Sequence, residues 1–359
     1  SPYMWDKVGP RNWRRPLLLR PDNFTPPSRT PWGGRRIREA LKADAHLQPG
    51  GPVGEAWELS VEPDFPSRLA DGPTLDEVLR ADPVLLGAEA PAGSTSLLVK
   101  LVDAADDLSV QIHPHDGDPQ LAAGESGKPE AWYIIDAKPG AGLYLGFVAG
   151  VSRQDVETAI DEHKDLSSLM SFVPVSPGDL FLIGPGTPHA IGDGVLLLEP
   201  QRVAPGKRGV TYRYWDWNRK YDDTGRLDPS GHPRDLHRER ALEVTDWEIA
   251  ADAEHIDRLS HRAGPAPIDG PAILEVLMSR EGPLRSEVFS VQRLAGSGTL
   301  ELHAADRLRS LTVLDGRVTL HDGETSLAVS RGQTSALPAC LGSLHVVLDS
   351  AHAVLCSLT

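Results

Sequence analysis

Short apolar runs separated by turn residues make up much of this 359-residue chain. Nearly all of the runs are bounded by residues that favour turns, such as Gly, Pro and Asp. Brief, regularly interrupted runs of this kind are typical of β-sandwiches and β-barrels. In the first part of the chain we predict strands over Leu97–Val102, Leu108–Ile112, Glu130–Ile135, Asp179–Ile183, Val195–Leu198 and Val210–Trp217.

A second series of apolar runs follows a polar stretch that extends from Ser230 to about Asp269. Asp, Glu, Arg and His dominate that stretch, in which we predict a helix near Leu236–Val244. The pair Asp315-Gly316 is a hairpin signal and predicts a chain reversal between two of the later strands. These later strands are predicted over Glu287–Val291, Leu311–Leu314, Arg317–Leu320 and Leu344–Leu348.

Three further helices are predicted, and all of them are short. Thr74 and Glu77 form a capping box, which marks the beginning of a helix. Ser152 can cap a helix that continues toward Met170. The third is expected over Gly33–Leu41. Because helical signals are few beside so many strand signals, we predict a mainly β protein with a few short helices.

The composition narrows the range of partners. The formal net charge is -15, which argues against nucleic acid. The two cysteines, Cys340 and Cys356, can form neither a disulfide framework nor a Cys-rich zinc motif, which fits a reducing cytoplasm. No apolar run is long enough to span a membrane, and Ser1–Pro16 lacks the apolar core of a signal peptide. We therefore predict a cytoplasmic protein that binds neither nucleic acid nor membrane. We also expect it to be a monomer.

One predicted strand carries two polar residues at alternate positions, Gln111 and His113. Because strand side chains alternate between faces, these two point together to one face, and Val110 and Ile112 point to the other. A polar pair inside a barrel is costly unless it is satisfied, and a metal ion would satisfy it.

Two more residues complete this candidate metal site. Glu130 begins a predicted strand, and His189 ends a Pro/Gly-rich turn between two apolar strands, which is the pattern of a cupin metal site. Two His nitrogens, a carboxylate and one more oxygen suit Zn²⁺ with an open position, and would also suit Fe²⁺ or Mn²⁺. His115 is a rival to Gln111, although Pro114 is expected to end the strand before it.

At these residues the sequence resembles type I mannose-6-phosphate isomerases, in particular their compact bacterial branch. The resemblance rests on an ordered set of motifs and is strong over residues 31–220. The motifs are Pro31–Gly34, Gly54–Ser60, Leu98–Ala104, Val110–Pro114, Gly127–Tyr133, Gly186–Ala190 and Thr211–Asp216.

The resemblance implies cupin-type β-barrels of the jelly-roll kind and the interconversion of mannose 6-phosphate and fructose 6-phosphate through an enediol. The residues that it implies as Zn²⁺ ligands are Gln111, His113, Glu130 and His189. Those that it implies in the sugar-phosphate site are Lys128, Glu199 and Arg213. The identity of the general base stays open.

Taken without the resemblance, the three proposed substrate residues have simpler interpretations. Glu199 could form an ion pair with Arg202 or Arg213. Arg213 could belong to a salt bridge in the barrel wall, and Lys128 could be a solvated loop residue. Trp215 and Trp217 are expected to be packing residues.

The sequence departs from the family pattern in three places. In the turn Ile183–Gly186 the proline is displaced by one position. The link Gln201–Gly209 is longer than usual and basic, so Lys207 or Arg208 could add a phosphate contact. The first thirty residues also exceed the compact family's start, and no role is assigned to them.

The two series of strands and the chain length predict two domains. Residues 1–235 are expected to form a catalytic cupin domain with an N-terminal extension and a small helical insert, residues 236–269 a helix and linker, and residues 270–359 a smaller metal-free β-barrel. Four histidines of the last part are expected to be scattered surface or packing residues: His303, His321, His345 and His352.

Two alternative functions follow from the same residues. One is another cupin metalloenzyme, such as an oxygenase or epimerase, that acts on a different sugar or sugar phosphate. The Gln ligand and the cations Lys128 and Arg213 argue against oxygen chemistry. The other is a sugar-phosphate-binding regulator without turnover, which would keep the metal residues and lose the acid/base group.

Overall fold

The protein, described by a computed structural model over residues 13–359, consists mainly of β-strands, as predicted. The start of the N-terminal extension, residues 1–12, lies outside this range. In chain order the strands are β1 (Leu17–Leu18), β2 (Glu55–Leu59), β3 (Leu97–Asp103), β4 (Val110–Ile112), β5 (Glu125–Ser126), β6 (Glu130–Ala137), β7 (Gly142–Phe147), β8 (Met170–Pro174), β9 (Asp179–Ile183), β10 (His189–Ile191), β11 (Val195–Arg202), β12 (Arg208–Gly209), β13 (Tyr212–Trp215), β14 (Ser260–Arg262), β15 (Ile273–Ser279), β16 (Leu284–Arg285), β17 (Phe289–Leu302), β18 (Arg309–His321), β19 (Ser326–Ser330), β20 (Thr334–Leu337) and β21 (Leu344–Leu358).

Two antiparallel sheets share a core in the first part of the chain. One has six strands in the order β14-β9-β6-β11-β3-β2, and the other has five in the order β13-β4-β10-β7-β8. Trp132 and Leu197 of the six-stranded sheet belong to the same buried cluster as Leu143 and Ile191 of the five-stranded sheet. The predicted site residues come from both sheets, since β6 and β11 belong to the six-stranded sheet and β4, β10 and β13 to the five-stranded sheet.

The later strands form a third sheet with its own core. Its order is β1-β20-β18-β21-β17-β15-β16, and β19 pairs with the outer part of β18. Leu311, Val346 and Leu355 lie in its apolar core. The strand β1 joins this sheet from the beginning of the chain, where Leu17 pairs with Ala336. The division at residues 235 and 270 stays a prediction.

The helices are α1 (Leu75–Ala81), α2 (Arg153–Asp161), α3 (Arg238–Val244) and α4 (Ala253–Arg258). The capping boxes at Thr74 and Ser152 are confirmed, and α3 lies where a helix was predicted. The continuation of α2 to Met170 is wrong, because His163 adopts a left-handed φ of 53° and Met170 begins a strand. No helix within residues 13–359 is long and apolar enough to cross a membrane.

Two other local predictions are corrected. Within Gly33–Leu41 only Ile37–Leu41 is helical, as a short π-helical turn, since Gly33 and Gly34 make β-bridges. Asp315-Gly316 does not reverse the chain but forms a bulge inside β18, where Gly316 has a φ of 65°. Both halves of β18 pair with β21, so the long partner strand keeps the chain extended through a sequence that would also suit a turn.

Candidate metal centre

Three buried side chains from three neighbouring segments converge between the two facing sheets. His113 follows β4, Glu130 begins β6, and His189 begins β10, which pairs with β4 through His189 and Gln111. The two His Nε2 atoms lie 3.3 Å and 3.1 Å from the same Glu130 Oε1. Within residues 13–359, this is the one group of three metal-ligating side chains whose ligand atoms all lie within 4.8 Å of one another. We call His113, Glu130 and His189 the candidate metal centre.

Backbone carbonyls define the tautomer of both rings. The Nδ1 atom of His189 lies 2.9 Å from the carbonyl oxygen of Thr187, and that of His113 lies 3.2 Å from the carbonyl oxygen of Val210. A carbonyl oxygen can only accept, so each Nδ1 carries the hydrogen and each neutral ring turns its Nε2 lone pair toward Glu130.

This arrangement fits a metal ion. Both Nε2 atoms are buried and have no hydrogen-bond partner, while the atom that faces them is a carboxylate oxygen. Burial lowers the pKa of His113 and so favours its neutral form. Two lone pairs and an anion, turned toward one point, form a typical donor set for a divalent cation.

The fourth predicted ligand, Gln111, lies beside this centre and lines the adjoining cavity. Its Nε2 donates to Ser109 Oγ at 3.1 Å, which leaves the amide oxygen available. The rival residue His115 is exposed and lies beyond the end of β4. Whether Gln111 binds the ion stays a prediction.

Lysine residues line the same cavity. Lys128, the predicted one, donates from Nζ to Thr211 Oγ1 at 3.1 Å. Burial and the nearby Lys100 lower its pKa, so it is not a solvated loop residue. Lys100 was missed by the sequence analysis. It is 5% exposed, its Nζ lies 4.0 Å from the Trp57 ring centroid, and Glu55 is its closest carboxylate at 3.9 Å.

Glu199 lies in the wall of the cavity and is held by two donors. Trp132 Nε1 donates to its Oε2 at 2.5 Å, and Gln201 Nε2 donates to its Oε1 at 2.7 Å. The same Gln201 nitrogen lies 3.2 Å from Glu130 Oε2, so one amide connects this carboxylate to the candidate metal centre. Burial and the negative charge of Glu130 raise the pKa of Glu199 to about 8.

Neither of the simpler interpretations for the arginines holds in the structure. Arg202 pairs with Asp116, not with Glu199. Arg213 makes no ion pair within residues 13–359. Its Nε lies 3.4 Å from Ser109 Oγ and its NH1 donates to the carbonyl oxygen of Asp235 at 2.9 Å. Burial and Arg234 lower the pKa of Arg213, and Asp216 and Asp235 act in the opposite direction. In the five-stranded sheet Arg213 lies opposite Gln111 of β4.

The long link Gln201–Gly209 packs as part of the wall. Val203 contacts Trp57 and Leu98, and β12 pairs in parallel with β5. Arg208 pairs with Glu125, whereas Lys207 is exposed. Neither Lys207 nor Arg208 lines the cavity of the candidate metal centre, and the predicted Arg213 does not line it either. The phosphate contacts of all three residues stay predictions.

A buried His₂–carboxylate centre, enclosed by facing antiparallel sheets and joined to a polar cavity, defines a metal-binding enzyme of the cupin class. Comparison with known proteins identifies the family within this class. The sequence model for the catalytic domain of type I phosphomannose isomerase matches residues 28–138. A probable mannose-6-phosphate isomerase of Bacillus subtilis, GmuF, is 32% identical over 321 residues, which is 88% of this chain and 92% of that protein. The chain therefore belongs to the type I phosphomannose isomerase family.

Other relatives agree with this assignment. A mannose-6-phosphate isomerase of Streptococcus mutans is 30% identical over 86% of this chain and 88% of its own length. The crystal structure of the Bacillus subtilis mannose 6-phosphate isomerase superposes with a TM-score of 0.74 at 25% identity, covering 96% of this chain and 99% of that one. The Salmonella typhimurium enzyme, solved with bound substrate and zinc, shares the fold with a TM-score of 0.64 at 15% identity, covering 95% and 98%.

Proposed function

We propose that this enzyme interconverts mannose 6-phosphate and fructose 6-phosphate with Zn²⁺ held by Gln111, His113, Glu130 and His189. The observation that carries the proposal is the pair of fixed His tautomers whose Nε2 lone pairs face Glu130. The family membership supports the substrate class. When bound, zinc would supply positive charge for a developing oxyanion at the sugar carbonyl.

The residues around the cavity would supply the rest of the reaction. Isomerisation moves a proton between C1 and C2 of the open-chain sugar through an enediol, and a positioned acid/base must carry that proton. Glu199 suits the role, because it is a carboxyl group in the cavity wall whose burial raises its pKa and so favours proton uptake. Trp132 and Gln201 hold its two oxygens in place.

The phosphate requires cations at a distance from the reacting carbons. Arg213 and Lys128 suit this role, since neither is neutralised by an ion pair among the described residues and both adjoin the metal-binding strand or loop. A guanidinium can bind a phosphate through two parallel hydrogen bonds. Lys100, on the opposite wall, lies beside Glu199 in the β3–β11 pairing and extends the positive lining.

A coupled assay with mannose 6-phosphate, with and without a chelator, tests this function. Conversion to fructose 6-phosphate that is lost on chelation and regained with zinc is expected. A zinc-loaded protein that binds the sugar phosphate without converting it would be a regulator instead. Turnover only with another sugar would indicate a different cupin metalloenzyme.

Three further expectations belong to the same proposal. The chain is proposed to be a cytoplasmic monomer, with the domain division at residues 235 and 270 and no metal in the last part. Light scattering of the purified protein tests the monomer. Metal analysis tests the last point, because more than one zinc per chain would contradict it.

A further inference from the structure

Thr211 connects two parts of the proposed active site. Its Oγ1 lies 3.1 Å from the Nζ of Lys128 and 3.2 Å from the Nδ1 of His113. One hydroxyl therefore touches both the side chain proposed for the substrate and a ring of the candidate metal centre. Nothing in the motif set had assigned it a role, although it closely follows the long link that ends at Gly209.

The two groups that reach the Thr211 hydroxyl oxygen are both hydrogen-bond donors. The Lys128 ammonium has no acceptor and can only donate. His113 Nδ1 also carries a hydrogen, since the carbonyl of Val210 accepts from it at 3.2 Å. Thr211 Oγ1 is therefore an acceptor for both groups.

The two groups depend on Thr211 to different degrees. His113 retains the Val210 carbonyl as an acceptor if the hydroxyl is lost. For Lys128, Thr211 is the sole hydrogen-bond partner within residues 13–359, and no carboxylate lies within ion-pair distance there. The lysine side chain is flexible, so the hydrogen bond to Thr211 is the contact that fixes the position of the Lys128 ammonium group.

We propose that Thr211 is a positioning residue that holds the Lys128 ammonium at a fixed place beside the metal centre. This inference rests on the proposed function, in which Lys128 contacts the sugar phosphate. Removal of the hydroxyl should free the ammonium while leaving the tautomer of His113, and hence zinc binding, almost unchanged.

The experiment compares Thr211→Val, which keeps the shape and removes the acceptor, with Thr211→Ser, which keeps the acceptor. For the zinc-loaded enzyme, Thr211→Val should lower kcat/KM for mannose 6-phosphate by roughly ten- to a hundredfold. Thr211→Ser should stay within about threefold of wild type. Zinc affinity, measured by chelator competition, should change by less than about threefold in both variants, since the Val210 carbonyl remains.

A double-mutant cycle with Lys128→Met separates positioning from a merely structural role. If Thr211 acts through Lys128, then Thr211→Val should change kcat/KM by less than about twofold in the Lys128→Met background. Thr312→Val is the matched control, because it removes a buried Thr–Thr hydrogen bond of 2.9 Å in the third sheet. It should leave kcat/KM within about twofold of wild type.

Full additivity in the cycle, or equal activity of Thr211→Val and wild type, would overturn the inference and leave the proposed function intact. A Thr211→Val variant that loses zinc would overturn it as well, because Thr211 would then act on His113. Failure of the wild-type enzyme to convert mannose 6-phosphate would instead reject the proposed function.

Discussion

Buried histidines occur in two polar clusters of this molecule. The clusters differ in the number of hydrogen-bond donors that face the histidine nitrogens. In the candidate metal centre, two Nε2 lone pairs and a carboxylate oxygen face one another with no hydrogen between them. Between the six-stranded and the third sheet, His352 Nε2 instead lies 2.7 Å from the Tyr133 hydroxyl, whose oxygen accepts from Arg293 NH1 at 3.2 Å. In this cluster the Tyr133 hydroxyl donates to the acceptor nitrogen of His352.

The comparison shows that burial alone does not identify a metal ligand. His352 is 8% exposed and His113 is 2% exposed, yet the acceptor nitrogen of His352 is satisfied without an ion. An excess of acceptors over donors, turned toward one point, distinguishes the metal centre. The predictions below test this difference.

The largest expected effect is the loss of metal. His113→Ala and His189→Ala should each reduce bound zinc to background, because each removes one of three convergent ligands. His352→Ala is the matched control and should retain the wild-type zinc content. Elemental analysis of the purified proteins measures this, and full zinc occupancy in either ligand variant would reject the site.

Next in size is the proposed proton transfer. Glu199→Gln removes the titrating group and keeps its volume, so kcat should fall by roughly 10²- to 10⁴-fold, with zinc content unchanged. Steady-state kinetics of the zinc-loaded variant measures this. A loss under about fivefold would assign the acid/base role to another residue.

The sheet-interface cluster should respond to pH through stability and not through metal. Burial and Arg293 lower the pKa of His352 from 6.5 to about 4. Below pH 6.5 the unfolded chain binds a proton that the folded protein does not bind until about pH 4. The free energy of unfolding should therefore fall by up to about 3 kcal/mol as the pH is lowered from 6.5 to about 4.

Urea unfolding of wild type and His352→Asn over pH 4–7 isolates this effect, since other titrating groups contribute equally to both. The difference between the two proteins should shrink as the pH falls. Parallel curves would show that His352 does not titrate differently in the folded state.

The smallest of these effects concerns phosphate recognition. Losing a charged hydrogen bond should cost about 1.5–3 kcal/mol, so Arg213→Ala should lower kcat/KM for mannose 6-phosphate by roughly ten- to a hundredfold. Unphosphorylated mannose should be affected little. Equal losses on both sugars would mean that Arg213 does not bind the phosphate, and comparable wild-type rates would indicate a free-sugar isomerase.

The sequence predicted the converging residues because their signal is local. Alternation on a strand placed Gln111 and His113 on one face, and the Pro/Gly-rich turn identified His189. Lys100 was missed because it occurs within an apolar run, Leu97–Val102, where a single charge does not interrupt the pattern. A charged residue at the centre of a buried strand is itself a signal, since burial of an unpaired charge is costly.

Features decided by distant pairing could not be predicted in the same way. Asp315-Gly316 suits either a hairpin or a bulge, and the partner strand β21 decides between them. For the same reason the sequence does not show that His321 of β18 lies opposite His345 of β21, with ring centroids 5.8 Å apart. Gln201 and Thr211 act across strands, so their partners appear only once the register is known.

The central claim is that one zinc ion per chain is needed for isomerisation. It is tested most directly by adding zinc in measured amounts to the metal-depleted enzyme. The rate of fructose 6-phosphate formation from mannose 6-phosphate should rise in proportion to added zinc and stop rising at one zinc per chain. The same titration of His113→Ala should give no activity at the break point. Undiminished activity of the depleted wild-type enzyme, or a break at two zinc ions per chain, would contradict the account.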